Sequence, residues 1–379
     1  MQPILIVGSG LAGYTLLKEI RKRDAAVPVT LITADDGAFY AKPNLSNALA
    51  AGKTAAALAG ASAEKMAADQ HATVLAHTRV DAIDTRAQRI RTADGNEHAY
   101  GRLVLALGAD PFPHRLEGSG AEAVLAVNDL ADYARFRDAI AGRQRVVVLG
   151  GGLIGCEFAN DLAAAGMAVS VVHLGAWPLV RLLPMEAGQR LADSLAGLGV
   201  QWHFGRTAKR VDSVDGGQRV TLDDGDALEA DVVLSAIGLV PRTQLAQAAG
   251  IPVNRGIQTD RLLETGAAGV YAMGDCAEVE GMVLPYVQPL MVQARALAAT
   301  LTGTPTPVVY PAMPVMVKTP AHPVAVLPPK PGATGGWKVE CSDTGICALH
   351  LDDRGGLQGF ALTGSETARR NTLAKEIAA

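Results

Sequence analysis

The chain has 379 residues, 49% of them hydrophobic and 19% charged, with a formal net charge of −4. That is enough chain for two or three soluble domains. The acidic balance argues against nucleic acid as a partner, and no uninterrupted apolar run is long enough to cross a bilayer. The four cysteines, Cys156, Cys276, Cys341 and Cys347, include no C-x-x-C pair and read as small buried hydrophobes in a reducing compartment.

The first strand, Ile4 to Val7, begins almost at Met1. That placement leaves no room for a leader and points to the cytoplasm. The branched apolar run reads as a parallel strand buried on both faces. It breaks into Gly8-Ser9-Gly10-Leu11-Ala12-Gly13 and then into a helical pattern over Tyr14 to Arg23. Strand, glycine turn and helix in this order make a dinucleotide site. The glycines permit a tight turn and close approach of a pyrophosphate, and the helix N-terminus supplies free N–H groups and positive charge. The basic cluster Arg21-Lys22-Arg23 closes the helix, where cations complement the dipole.

A second strand, Val29 to Thr33, leads to Ala34-Asp35-Asp36. An acid about 20 residues past the glycines suits a ribose hydroxyl, which makes Asp35 the candidate; a plain strand exit is the alternative. Phe39 to Ser46 reads as a loop in which Pro43 keeps Lys42 out of a helix. The Ala-rich stretch Ala48 to Ala68 reads as one surface helix. Thr73 to Val80 reads as a strand, Ala93 to Asn96 as a hairpin turn, and Leu103 to Gly108 as a buried strand ending at the domain crossing marked by Pro111 and Pro113.

The pattern then repeats. Arg145 to Leu149 runs into Gly150-Gly151-Gly152-Leu153-Ile154-Gly155, with a helix from Phe158 to Ala165 and a further strand from Ala168 to Val172. That strand ends at His173-Leu174, where an acid would favour NAD and an arginine NADP; with neither present, the choice stays open. The chain recrosses at Asp231 to Ile237 before Gly238, and Gly269 to Cys276 gives another strand closed by Gly274-Asp275. Pro289 suits the first position of a helix running to Leu301, with Tyr286 and Val287 just outside its positive end. The Pro-rich stretch from Pro305 to Pro331 marks a second boundary. Beyond it, Trp337 to Cys341, Ile346 to Leu351 and Leu357 to Leu362 form an antiparallel meander, followed by a helix. Trp177, Trp202 and Trp337 read as packing residues. The fold class expected is α/β: two Rossmann-like domains, the first discontinuous (1–108 and 237–308), the second over 109–236, and a small C-terminal α+β domain over 309–379.

Two glycine fingerprints suggest two nucleotides, FAD in the first domain and a nicotinamide dinucleotide in the second. Gly8–Gly13, Leu103–Gly108, Gly150–Glu157, Gly238–Arg242 and Gly274-Asp275 stand in the order of the two-dinucleotide-binding flavoprotein reductases, which this chain resembles. Within them the finer pattern is similar to the rubredoxin reductases. It is carried by Ile32–Gly37, Lys42-Pro43, Gly155–Leu162, Gly274–Val279 and Val317–Pro320. The resemblance implies an FAD enzyme that oxidises NADH or NADPH and passes single electrons to rubredoxin, a small acidic iron–cysteine carrier met transiently. It implies service to an alkane-hydroxylating or oxygen-detoxifying chain, with no nucleic acid, membrane or metal ligand set of its own.

The FAD residues it implies are Gly8, Ser9, Gly10, Leu11, Ala12, Gly13, Thr33, Ala34, Asp35, Lys42, Val80, Asp275, Val287 and Lys318. The NAD(P)H residues are Gly150, Gly152, Leu153, Ile154, Gly155, Glu157, His173 and Gly238. Lys42 corresponds to the family lysine beside flavin N5, and Glu157 to the glutamate that pairs with it; a solvated lysine and an exposed acid are the plain alternative. Ferredoxin or flavorubredoxin reductases, a flavin-bound redox sensor similar to apoptosis-inducing factor, and an NADH oxidase are the competing readings. The loop after the second strand, Tyr40 to Leu49, holds no cysteine, so direct transfer from the flavin edge is expected rather than a thiol relay.

Overall fold

A computed structural model describes residues 3–378. The chain divides into two compact units. The first contains the chain through Lys42, Ala56–Asp110 and Leu239–Tyr310; the second contains Pro43–Ala55, Pro111–Gly238 and the chain from Pro311. The C-terminal segment, read above as a third domain, is grouped with the second unit.

The first unit is built on a five-stranded sheet ordered Val270–Ala272, Arg102–Leu105, Ile4–Val7, Val29–Ile32, Thr73–Leu75. Every pairing in it is parallel. All four residues of the first strand are buried, as a strand covered on both faces requires. Numbered along the chain, the order is 3-2-1-4-5, which reverses direction between Ile4–Val7 and Arg102–Leu105. At such a switch point the crevice outside the strand carboxyl ends is the ligand site.

The second unit repeats the plan with four strands ordered Gln201–Phe204, Ala168–His173, Arg145–Leu149, Val232–Ser235, again all parallel. Its reversal lies between Arg145–Leu149 and Val232–Ser235. Entry to the central strand is braced by Asp231. Its Oδ1 accepts from the Arg145 guanidinium at 2.7 Å and its Oδ2 from the backbone N–H groups of Gln144 and Arg145 at 2.9 Å each. The Arg145 contact leads in pulling the carboxyl down to about 2. The stabilisation is therefore fully present above the usual aspartate range and disappears as pH falls towards 2. Because Arg145 is half exposed, Asp231→Asn is expected to cost on the order of 1 kcal/mol at pH 7. Urea unfolding should show the variant and the parent converging near pH 2; a gap that persists there would contradict this origin.

The C-terminal segment forms a five-stranded antiparallel sheet ordered Val315–Val317, Val324–Leu327, Leu357–Thr363, Gly345–Leu351, Gly336–Ser342, with the helix Arg370–Ala378 following. Two of these strands lie inside the stretch read as a Pro-rich boundary. Short β-branched runs between prolines do not announce themselves by alternation. A further meander, Ala208–Val214, Gly217–Leu222 and Ala227–Ala230, was not anticipated either.

Several boundaries differ from the sequence reading. Ala48–Ala68 is not one helix but Ala55–Leu58 and Ala63–Asp69. Ser62 caps the second of these by accepting from the Lys65 N–H, a new start that costs less than propagating through Gly60. Thr73–Val80 breaks after Leu75, with His77 at φ 52, and Val80 opens a separate strand to Asp84. Lys42–Asn47 is a 3₁₀ helix rather than a loop; Pro43 fits a first turn, where its missing N–H is not needed. The helix expected to start at Pro289 starts at Val287, with the proline at its third position, still within the turn of orphan N–H groups. The second nucleotide helix begins at Leu153, directly after the glycines, rather than at Phe158. Cys341 is exposed while the other three cysteines are buried. Among the described residues no helix is long and apolar enough to cross a membrane.

Candidate functional site

Each glycine turn sits at its sheet's switch point, and the two are built alike. Gly8 has φ +115 and Gly150 φ +106, conformations that favour glycine. A Cβ on Gly8 would stand 2.2 Å from the Ala106 carbonyl oxygen, and one on Gly150 2.6 Å from that of Ala236. Each first glycine therefore lies against the strand on the far side of the reversal. The third glycines close the helix onto the turn. A Cβ on Gly13 would lie 1.9 Å from the Gly8 carbonyl oxygen, and one on Gly155 1.8 Å from that of Gly150. By contrast, nothing lies within 4 Å of a Cβ on Gly10 or Gly152.

Gly10 and Gly152 are also the N-cap residues of Leu11–Arg23 and Leu153–Ala164. Neither helix has a side-chain cap or an acid in its first turn. Two helix N-termini are thus left with unneutralised positive ends and unsatisfied N–H groups beside open space. That is the donor set a pyrophosphate takes, and the residues present fit one dinucleotide in each unit.

In the first unit the ribose end is prepared. Asp35 Oδ1 accepts from Ser9 Oγ at 2.8 Å, from Thr33 Oγ1 at 2.6 Å and from the Gly37 N–H at 2.9 Å. This fixes an exposed carboxylate beside the glycine turn, one residue past Ala34. Val80 is buried at the start of its strand. The Gly274-Asp275 turn packs on the same loop: a Cβ on Gly274 would sit 2.9 Å from that of Ala12. Gln293, which the sequence reading missed, accepts the Gly274 N–H at 2.8 Å. The Asp275 carboxyl is pushed up by burial and drawn back by the charge of Lys42. Val287, half exposed, is the first residue of a helix with neither a side-chain cap nor an acid in its first turn, another positive end left open.

In the second unit His173 ends its strand and turns inward. Its Nδ1 accepts the Gly151 N–H at 3.1 Å, a bond only an unprotonated nitrogen can make, and burial lowers its pKa. The imidazole is therefore a neutral prop under the glycine turn, not a cation for a phosphate. Ile154 and Ile237, both well exposed, offer apolar surface at the helix start and after the fourth strand, next to Gly238 with φ +124.

Glu157 is 3% exposed, not the exposed acid of the plain alternative. Its Oε2 accepts from Ser46 Oγ and from Lys318 Nζ, each at 2.5 Å, and its Oε1 from the Lys318 backbone N–H at 2.9 Å. Lys318 Nζ also donates to the Pro43 carbonyl at 2.7 Å. Within this unit Lys318 is a counter-ion of the carboxylate. A buried carboxylate needs both the charge and the hydrogen bonds.

The thiols are poor candidates for chemistry. Cys156 lies inside the second nucleotide helix and Cys276 after the Gly-Asp turn. Burial pushes both up, Cys276 to about 11 and Cys156 further. Nucleophilic and redox thiol chemistry needs the thiolate, and both sulfurs instead donate to backbone carbonyls.

Residues 2–297 match the pyridine nucleotide-disulphide oxidoreductase family. The chain belongs to that family. Residues 307–377 match a rubredoxin binding C-terminal domain. Over its full length the chain is 50% identical to the rubredoxin-NAD(+) reductase of Alcanivorax borkumensis, covering 99% of that protein. It is 45% identical to the same-named protein of Acinetobacter baylyi, with 99% of this chain and 98% of that one aligned. A ferredoxin reductase from Rhodopseudomonas palustris superposes with a TM-score of 0.90 at 26% identity, covering 100% of this chain and 96% of that one. The pyridine nucleotide-disulphide oxidoreductase family takes its name from a disulfide. Here the four cysteines are free.

Proposed function

We propose that this chain is a cytoplasmic FAD-dependent reductase that oxidises NADH and delivers electrons one at a time to rubredoxin. The observation that carries the reading is the pairing of two open glycine crevices, one per unit, with a C-terminal segment matching a rubredoxin-binding domain. One crevice suffices for a simple dehydrogenase. Two call for two dinucleotides, and the added segment supplies a site for a protein acceptor. FAD, when bound, supplies the conversion between a two-electron hydride donor and one-electron carriers.

The residues that would hold FAD are Gly8–Gly13 at the pyrophosphate, Asp35, set by Ser9, Thr33 and the turn at Ala34, at the ribose, Val80 by its backbone, and Asp275 at the sugar chain. The open end of Val287–Leu301 favours negative charge on a bound ring through its dipole. Lys42, electrostatically coupled to Asp275, supplies a fixed positive charge to the same site. In the second unit Gly150, Gly152 and Gly155, with Leu153 and Ile154, would hold NADH, and Gly238 keeps the far wall free of a side chain. Lys318 acts on the site through Glu157.

Lys42→Met tests the catalytic assignment. Flavin reduction by NADH in stopped flow is expected to slow by about tenfold or more, with FAD content unchanged. An unaltered rate would remove Lys42 from the reaction.

A further inference from the structure

The second nucleotide helix, Leu153–Ala164, carries three buried polar side chains beyond its glycine turn. Glu157, Asn160 and Asp161 are 3%, 3% and 4% exposed, and at i, i+3 and i+4 they share one helix face. Between them they bind two separate stretches of chain. Glu157 takes the backbone N–H of Lys318, and Asn160 Oδ1 takes that of Ala321 at 3.1 Å. Asp161 takes those of Leu49 at 2.8 Å and Ala50 at 3.1 Å, one on each oxygen. The face therefore grips two segments at once. One is the stretch directly following Lys42 in sequence; the other is the beginning of the segment that matches a rubredoxin-binding domain.

An apolar face would pack against these segments at least as stably, because burying polar groups gains little net energy even when they are paired. What directional bonds add is register: each acceptor is aimed at one particular N–H. A docking platform assembled from separate stretches of chain needs that register to present one surface to a protein acceptor.

We propose that Asn160 and Asp161 are positioning residues for electron delivery. Through them the nucleotide helix holds the acceptor segment and the stretch beyond Lys42 in one register within the second unit. This rests on the reading that rubredoxin is the acceptor.

The test compares Asn160→Leu with the isosteric Asp161→Asn, each as flavin-loaded protein. Turnover is measured with NADH against iron-loaded rubredoxin and, separately, against ferricyanide, a small oxidant that needs no docking platform. Asn160→Leu is expected to lower kcat/KM for rubredoxin by about tenfold or more, the equivalent of one lost buried hydrogen bond. Ferricyanide turnover should stay within about twofold of the parent. Asp161→Asn, which keeps one of two acceptors, should fall between. Equal losses with both oxidants, no loss with either, or failure of both variants to retain FAD would overturn the proposal in favour of a packing role. A parent protein that reduces ferricyanide but not rubredoxin would instead overturn the choice of acceptor.

Discussion

Gly155→Ala is expected to leave a yellow protein that NADH no longer bleaches, whereas Gly13→Ala is expected to leave a colourless one. The two substitutions add the same methyl group at equivalent points. In each case the new Cβ would meet a backbone carbonyl under 2 Å away, and backbone cannot step aside as a flexible side chain does. The turn must open and carry the N–H groups of Gly10 or Gly152 away from the pyrophosphate. Misplacement on the ångström scale costs about 100-fold in a positioned reaction, so hydride delivery in Gly155→Ala should fall by at least that factor. The effects separate because each turn belongs to its own sheet and its own unit. Absorbance of the purified variants and anaerobic titration with NADH read both. Loss of flavin from Gly155→Ala would show that the crevices are not independent.

Lys318→Met should destabilise the second unit by about 2–3 kcal/mol, below the full penalty of an orphaned buried charge because the lysine is partly exposed. It removes the counter-charge of a carboxylate that is only 3% exposed and strips a donor from the Pro43 carbonyl. The bonds from Ser46 and the Lys318 backbone N–H stay in place, but neither brings a charge to offset a carboxylate out of water. Replacing Glu157 by leucine in the same chain should restore most of the loss, because the charge that needed a partner is gone. Urea midpoints of the two singles and the double measure the coupling. A Lys318→Met midpoint matching the parent would mean that water already satisfies Glu157.

Much of the nucleotide machinery is legible in the sequence because it is local. The apolar runs at Ile4–Val7 and Arg145–Leu149, the glycines that follow and the helices after them lie within a dozen or so neighbouring residues, where periodicity and turn chemistry act. Less legible is whatever depends on residues distant along the chain. Ser46 and Glu157 are 111 positions apart, and Glu157 and Lys318 are 161 apart, so no spacing rule reveals that they share a carboxylate. The inward turn of His173 onto Gly151 is equally silent, since a histidine ending a strand reads the same whether it faces solvent or the loop. Gln293 sits mid-helix among apolar residues with nothing to mark its bond to Gly274. In the Ala-rich stretch helix propensity misleads: a single serine cap and two glycines outweigh a run of alanines.

The most direct trial of the account is an anaerobic titration of the purified flavin-loaded protein with NADH in the presence of oxidised rubredoxin. The flavin is expected to turn over, each NADH reducing two rubredoxin molecules. Flavin reduced by NADH while rubredoxin stays oxidised would contradict it.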